Sequence, residues 1–144
     1  MSSRRQTPHS TAAARAAEAS GATYDTGALL AAEANRREIW AIHVRSLQRG
    51  VRPVVPAGVL AQAWRRGPQP QLSRLLRGCR VEDLDERRAR AAGFACARSG
   101  TRDIVDASVV AGALARGDLV VTSDPDDLAV IAKALGGSIR LNRV

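Results

Sequence analysis

The stretch Asp106–Leu128, DASVVAGALARGDLVVTSDPDDL, decides how the chain is read. Its first part carries Ala107, Val109, Val110, Ala111 and Ala113, too apolar a set for a helix that faces solvent. Gly117 is a natural terminator for that helix. The run DLVVTSD (118–124) follows, continuously apolar at its centre, as a strand buried on both faces requires. SDPDD then opens a second helix: Asp124 suits the N-cap, Pro125 the first helical position, and Asp126 and Asp127 the positive first turn. A buried strand between two such helices belongs to a parallel sheet covered on both faces.

The same grammar extends upstream from this stretch. A short strand ending near Asp25 leads into a small helix over Gly27–Ala34 and a longer one over Arg36–Gln48, the latter with Ile39, Ile42, His43 and Leu47 at helical spacing. VRPVVP (51–56) reads as a second strand, Ala57–Arg66 as a helix broken by Gly67-Pro68, and Gln69–Leu76 as another short helix. CRVEDL (79–84) is a third strand and Asp85–Arg98 an arginine-rich helix. Thr101 is the expected cap of the helix that runs to Arg116. Downstream, Asp127–Leu135 continues as helix and SIRLNRV (138–144) is a last, edge strand. Strands alternating with helices, and no hairpin signal, predict an α/β fold: a three-layer α/β/α sandwich around a central, mostly parallel sheet. Residues 1–21 are rich in Ser, Thr, Ala and Arg and read as a flexible N-terminal tail, leaving 22–144 as the single domain.

Composition narrows the function. The net charge of +8 rests almost wholly on arginine, Lys133 being the single lysine, and favours a polyanionic partner, nucleic acid first. No run is apolar or long enough for a membrane span, and the basic start lacks the apolar segment of a secretory signal; a cytoplasmic location is expected. Cys79 and Cys96 lack metal-site spacing and read as buried or half-buried thiols. His9 and His43 suit surface or packing roles, and no phosphate-binding glycine loop is present.

Four aspartates remain. Asp25 and Asp124 each end an apolar run, Asp127 follows within the next helix, and Asp106 opens a helix with an apolar stripe. Ligand sites of open α/β sheets gather at the carboxyl ends of the strands. Carboxylates brought together there repel one another unless a hard divalent cation such as Mg²⁺ or Mn²⁺ joins them, which suggests a metal-dependent phosphodiesterase. Each also has a plainer reading: Asp25, Asp103, Asp106 and Asp124 all suit helix caps or first turns. Thr122 and Ser123 could orient a water or hold a carboxylate, or simply end a strand.

In this order, YDTGALL (24–30), VVPAGVLAQAWR (54–65) and DASVVAGALARGDLVVTSDPDDL (106–128) resemble the PIN-domain nucleases, in particular the VapC-like ribonuclease toxins of bacterial toxin–antitoxin pairs. The resemblance runs from Thr23 to Val144. It implies a Mg²⁺-dependent endoribonuclease with catalytic residues Asp25, Asp106, Asp124 and Asp127. Asp25, Asp106 and Asp124 would be the metal ligands, the last directly or through water, and Asp127 would orient water behind them. The position where the family carries a glutamate holds Gln62, which lowers the expected metal affinity; Asp103 is a carboxylate that could compensate, and Glu33 could approach from the first helix. Arg65, Arg66 and Arg102 are the candidates for holding the RNA backbone. The resemblance further implies a small antitoxin partner and a homodimer.

Two other readings stand beside the nuclease. Gln62 motivates a PIN domain that binds RNA or protein without cleaving. A carboxylate-based phosphatase or receiver-like module would use the same sheet edge but usually adds a lysine there, and Lys133 lies in the last helix.

Overall fold

The computed structural model describes residues 21–144; the expected tail, with His9 and its arginines, lies outside them. Twelve elements follow one another as β1 (Ala22–Tyr24), α1 (Thr26–Glu33), α2 (Arg37–Gln48), β2 (Val54–Pro56), α3 (Ala57–Ala63), α4 (Pro70–Arg77), β3 (Arg80–Glu82), α5 (Glu86–Ser99), α6 (Ile104–Arg116), β4 (Leu119–Thr122), α7 (Pro125–Ala134) and β5 (Arg140–Arg143). The five strands form one sheet in the order β3-β2-β1-β4-β5, and every pairing is parallel. The α/β expectation holds, with the sheet wholly rather than mostly parallel and SIRLNRV at an edge as expected. Helices α1 to α4 pack together, as do α5 to α7, and these two groups make the outer layers, with α3 reaching α6.

The core is built from small residues. In α6, Ala107, Val109, Val110, Gly112 and Ala113 are buried against the sheet, and Val120 and Val121 of β4 are fully buried. Alanine and glycine let helix and sheet approach closely, so a chain with few aromatics still fills its interior. Tyr24 is the large exception, fully buried and hydrogen-bonded through its hydroxyl to His43 Nδ1 at 3.0 Å. Burial pushes the tyrosine hydroxyl up and His43 down, with Arg74 adding to the latter. His43 is therefore a packing residue. Cys79 is buried, donates to Leu75 O and is pushed up to about 12 by burial; Cys96 is half-buried, and both thiols are free.

Several boundaries differ from expectation for local reasons. Helix α6 is capped not by Thr101 but by Asp103, whose Oδ1 accepts from Asp106 N at 2.9 Å. The chain leaves α5 through Gly100 at φ 81°, and Thr101 Oγ1 accepts from Asp103 N, so the turn consumes two residues before the helix starts. Helix α3 ends at Ala63 rather than Arg66, because Trp64 is already extended and Gln69 captures the backbone beyond it. Strand β2 spans Val54–Pro56 only, whereas α7 begins at Pro125 with Asp124 at the N-cap position, as expected.

An ion network that the sequence did not announce pins β1, β3 and the start of β4 to the end of α6. Arg116 ends α6 and donates from Nη1 to both oxygens of Glu82 at 2.8 Å, from Nε to Asp118 at 2.8 Å, and from Nη2 to Thr23 Oγ1 at 2.9 Å. Thr23 in turn donates to Asp118 at 2.7 Å, and Arg88 lies 3.4 Å from Glu82. Two arginines and two carboxylates balance, and both Glu82 oxygens and Asp118 Oδ2 each accept from a donor, which offsets part of the desolvation such a cluster costs.

Candidate active site

The strand order reverses at β1: its crossover leads away to β2, whereas β4 lies on its other side and leads to β5. Such a switch point leaves a crevice outside the carboxyl ends of the two diverging strands. Asp25 follows β1 and Asp124 follows β4, so both stand at that crevice; Asp25 N donates to Val121 O at 3.1 Å, which ties the two strand ends together.

Asp25 is 7% exposed. Its Oδ1 accepts from Ala28 N at 3.1 Å, capping α1, and its Oδ2 accepts from the Thr122 hydroxyl. Thr122 is itself fully buried and accepts from Asp124 N at 2.8 Å, so one hydroxyl positions the carboxylate of β1 and the backbone of β4. Burial pushes the Asp25 carboxyl above its usual range, the hydrogen bonds from Thr122, Ala28 and Gly27 pull it back, and the charge of Asp124 raises it again. Both the capping reading and the site reading of Asp25 are therefore satisfied by one geometry. Asp124 occupies the N-cap position but makes no capping bond, so its side chain is free of that duty.

Asp106 comes from the first turn of α6 and is pushed up to about 6, first by burial, then by Asp103, Asp25 and Asp127. Asp127 is exposed and also raised, first by a side-chain hydrogen bond with Asp124 and by its charge, with smaller contributions from Asp126 and Asp103. Carboxyls that raise one another in this way are electrostatic neighbours. Asp103, Asp106 and Asp127 line a cleft of about 330 Å³ with Thr101 and Ile131. The structure thus brings together Asp25, Asp106, Asp124 and Asp127 from three separate segments, with Asp103 beside them.

These neighbours do not yet close on a common centre. Among the described residues, no three His, Cys, Asp or Glu side chains converge tightly enough to hold a metal ion as they stand. The donor set nevertheless fits a hard divalent cation: it is all carboxylate oxygen, its members destabilise one another as anions, and Asp124 and Asp127 are exposed and able to rotate.

The remaining candidates fall out as follows. Gln62 is exposed, and its Oε1 accepts from the Thr26 hydroxyl, next to Asp25. Ser123 is exposed and packs on Gly27, where an added Cβ would lie 2.0 Å from Ser123 Oγ and 2.9 Å from Ser123 N. That glycine lets the first turn of α1 approach the β4–α7 connection. Glu33 lies away from the acidic edge: it is half-buried and accepts from Gln69 Nε2 at 3.1 Å. Arg65 and Arg66 are exposed in the loop after α3, and Arg102 is exposed beside Asp103. Lys133 is exposed near the end of α7, and a receiver-like lysine at the acidic edge is not supplied.

The fold has a solved counterpart. One chain of the crystal structure of VapBC2 from Rickettsia felis, bound to a DNA fragment from their promoter, superposes with a TM-score of 0.60 at 13% identity, covering 85% of this chain and 98% of that one. At that identity the likeness establishes the shared architecture. No family model matches the sequence, and no curated protein matches it. Among the described residues, no helix is long and apolar enough to cross a membrane.

Proposed function

We propose that this chain is a PIN-type, Mg²⁺-dependent endoribonuclease, acting as the VapC-like toxin of a toxin–antitoxin pair. The observation that carries the reading is the placing of Asp25, Asp106, Asp124 and Asp127 around the switch-point crevice between β1 and β4, on a chain whose net charge is +8. Carboxylates that raise one another without an arginine or lysine among them call for a cation, and the fold shared with a VapBC2 chain favours a nuclease over a phosphatase.

Asp25 and Asp106 would hold the ion, with Asp124 joining directly or through water and Mn²⁺ able to substitute. When bound, the metal supplies a Lewis acid that activates water and neutralises charge on the scissile phosphate. Thr122 holds Asp25 in one orientation, so that carboxylate needs no reorganisation when the site fills. Asp127 orients water from the exposed side. Arg65, Arg66 and Arg102 hold the RNA backbone, which positions the strand without specifying its sequence. The reading also carries a small antitoxin, whose arginine would replace the metal's charge among the carboxylates, and a homodimer.

One observation favours a second reading. Gln62 is neutral and its carbonyl is already engaged by Thr26, so the site has one charge fewer than its family pattern, as a domain that binds RNA or protein without cutting would have. Cleavage of a structured RNA pool with Mg²⁺, Mn²⁺ or EDTA, beside Asp25→Asn and Asp106→Asn, separates the two. Metal-dependent cutting lost in both variants supports the nuclease. Folded wild-type protein that cuts with neither metal leaves the binding domain.

A further inference from the structure

Helix α3 has two apolar faces. Val59 and Ala63 are buried, whereas Ala57, Leu60, Ala61 and Trp64, spaced one helical turn apart, line an open hollow of about 470 Å³ with Leu76 of α4. Trp64 is 45% exposed. The chain's other tryptophan, Trp40, is half-buried, edge-on to His43, with the Arg74 guanidinium 4.1 Å above its ring.

The backbone that presents Trp64 is fixed. Trp64 N donates to Leu60 O at 2.8 Å and closes α3. Arg65 N donates to Gln69 Oε1 at 2.7 Å, and Gln69 Nε2 donates to Ala63 O and to Glu33 Oε1, both at 3.1 Å. Gln69 is 8% exposed, so a buried amide staples the loop onto α1 and α3. The two guanidinium groups that follow the indole, Arg65 and Arg66, are exposed, and among the described residues neither is ion-paired. Two residues before the indole, Gln62 meets Thr26, the neighbour of Asp25, so the same short helix reaches the acidic edge.

An accessible indole over an apolar hollow, beside two arginines that make no ion pair among the described residues (Arg65 Nη1 donates only to Trp64 O, at 2.9 Å), matches the chemistry of a single strand of nucleic acid. Bases stack on aromatic faces without regard to sequence, and arginines take the phosphates between them. A duplex hides its base faces. A protein helix would match the apolar stripe but leave the two cations unanswered. We propose that Trp64 is a base-stacking platform for single-stranded RNA, with Arg65 and Arg66 holding the phosphates that flank the stacked base. The choice of RNA rests on the ribonuclease reading; the stacking geometry does not.

Tryptophan fluorescence tests it directly on the full chain in EDTA, where no cutting intervenes. The probe is a single-stranded oligoadenylate of about ten nucleotides, within the usual span of such grooves, beside a duplex of equal length. Saturable quenching by the single strand, weak binding of the duplex, and loss of the quench in Trp64→Phe are the expected results. By fluorescence anisotropy Trp64→Ala should weaken single-strand binding roughly 5- to 100-fold, the range for loss of one aromatic–base stack. Arg65→Gln with Arg66→Gln should flatten the salt dependence of binding. An unchanged Kd in Trp64→Ala, absence of saturable quenching, or duplex binding as tight as single-strand binding would overturn the proposal. So would a change of oligomeric state on light scattering in Trp64→Ala, which assigns the stripe to a second copy. Trp64→Phe, with unchanged circular dichroism, guards against misreading a folding defect. Quenching without metal-dependent cleavage removes the nuclease reading and leaves the platform; cleavage without quenching does the reverse.

Discussion

Asp106→Asn should stabilise the metal-free protein, against the usual direction of substitutions at buried functional groups. The Asp106 carboxyl rises from 3.8 to about 6 in the folded chain. A group whose folded pKa lies above its unfolded one is protonated in both states at low pH and costs nothing there. As pH climbs from 3.8 toward 6 the unfolded chain ionises first, so stability falls across that window and stays reduced above it. A rise of that size corresponds to about 3 kcal/mol without screening. Asp106 is only half-buried, and solvent screening reduces the net penalty to about 1 kcal/mol. Asparagine keeps the shape and cannot ionise. Urea unfolding in EDTA at pH 3 and pH 7.5 should therefore give nearly coincident midpoints at the lower pH. At the higher pH the variant should be ahead by about 1 kcal/mol, about 3–5 °C in Tm for a domain of this size. Saturating Mg²⁺ should reverse the order, since a ligand at 100 times its Kd adds about 2.7 kcal/mol to the form that binds it. A variant less stable than wild type at pH 7.5 in EDTA, or one that gains as much from Mg²⁺, would refute the reasoning.

Further outcomes follow from neighbouring contacts. Thr122→Val removes the donor that lowers Asp25 and leaves Asp124 N without its acceptor; stability should fall by about 1–3 kcal/mol, and the acid limb of the pH–cleavage profile should move to higher pH. Gly27→Ala should destabilise by about 1–3 kcal/mol in urea titrations, and adding Ser123→Ala should restore only part of it, because the clash also involves Ser123 N at 2.9 Å. Arg116→Met strands Glu82 and Asp118 with their charges half answered and should cost about 3–5 kcal/mol by chemical denaturation. Gln62→Glu places a carboxylate where Thr26 already donates a hydrogen bond, and calorimetric titration should show Mg²⁺ binding about tenfold tighter.

The architecture was largely legible because its signals are local. Val120 and Val121 in an unbroken apolar run, Gly117 as a left-handed cap and Pro125 at a helix start each state a local requirement that few residue types meet. The places of Asp25, Asp106 and Asp124 in the fold are legible for the same reason, since each sits at or within the first turn of a helix start that follows from the topology. What escaped depends on distance along the chain. Nothing near Arg116 announces that it reaches Glu82, 34 residues away, and nothing near Thr23 announces Asp118, 95 residues away. Thr101 satisfies the local pattern of a cap after glycine as well as Asp103 does; only the geometry of the α5–α6 turn distinguishes them. Trp64 carries the pattern of a helix interior, since the residue that ends that helix, Gln69, has no terminator signature of its own.

The clamp on Arg116 acts on the far end of its own helix. Helix α6 is a rod of about 20 Å that carries Asp106 at one tip and Arg116 at the other. Its inner surface is mostly alanine, valine and glycine, which offer the sheet no polar tie, and the guanidinium of Arg116 supplies that tie at the end away from Asp106. A small tilt released at the fork becomes a displacement of comparable size at the carboxylate. In a random-mutagenesis screen, substitutions at Glu82, Arg116 and Asp118 will therefore cluster with those of the acidic crevice, and a map drawn from phenotype alone would mark two ends of the molecule as active.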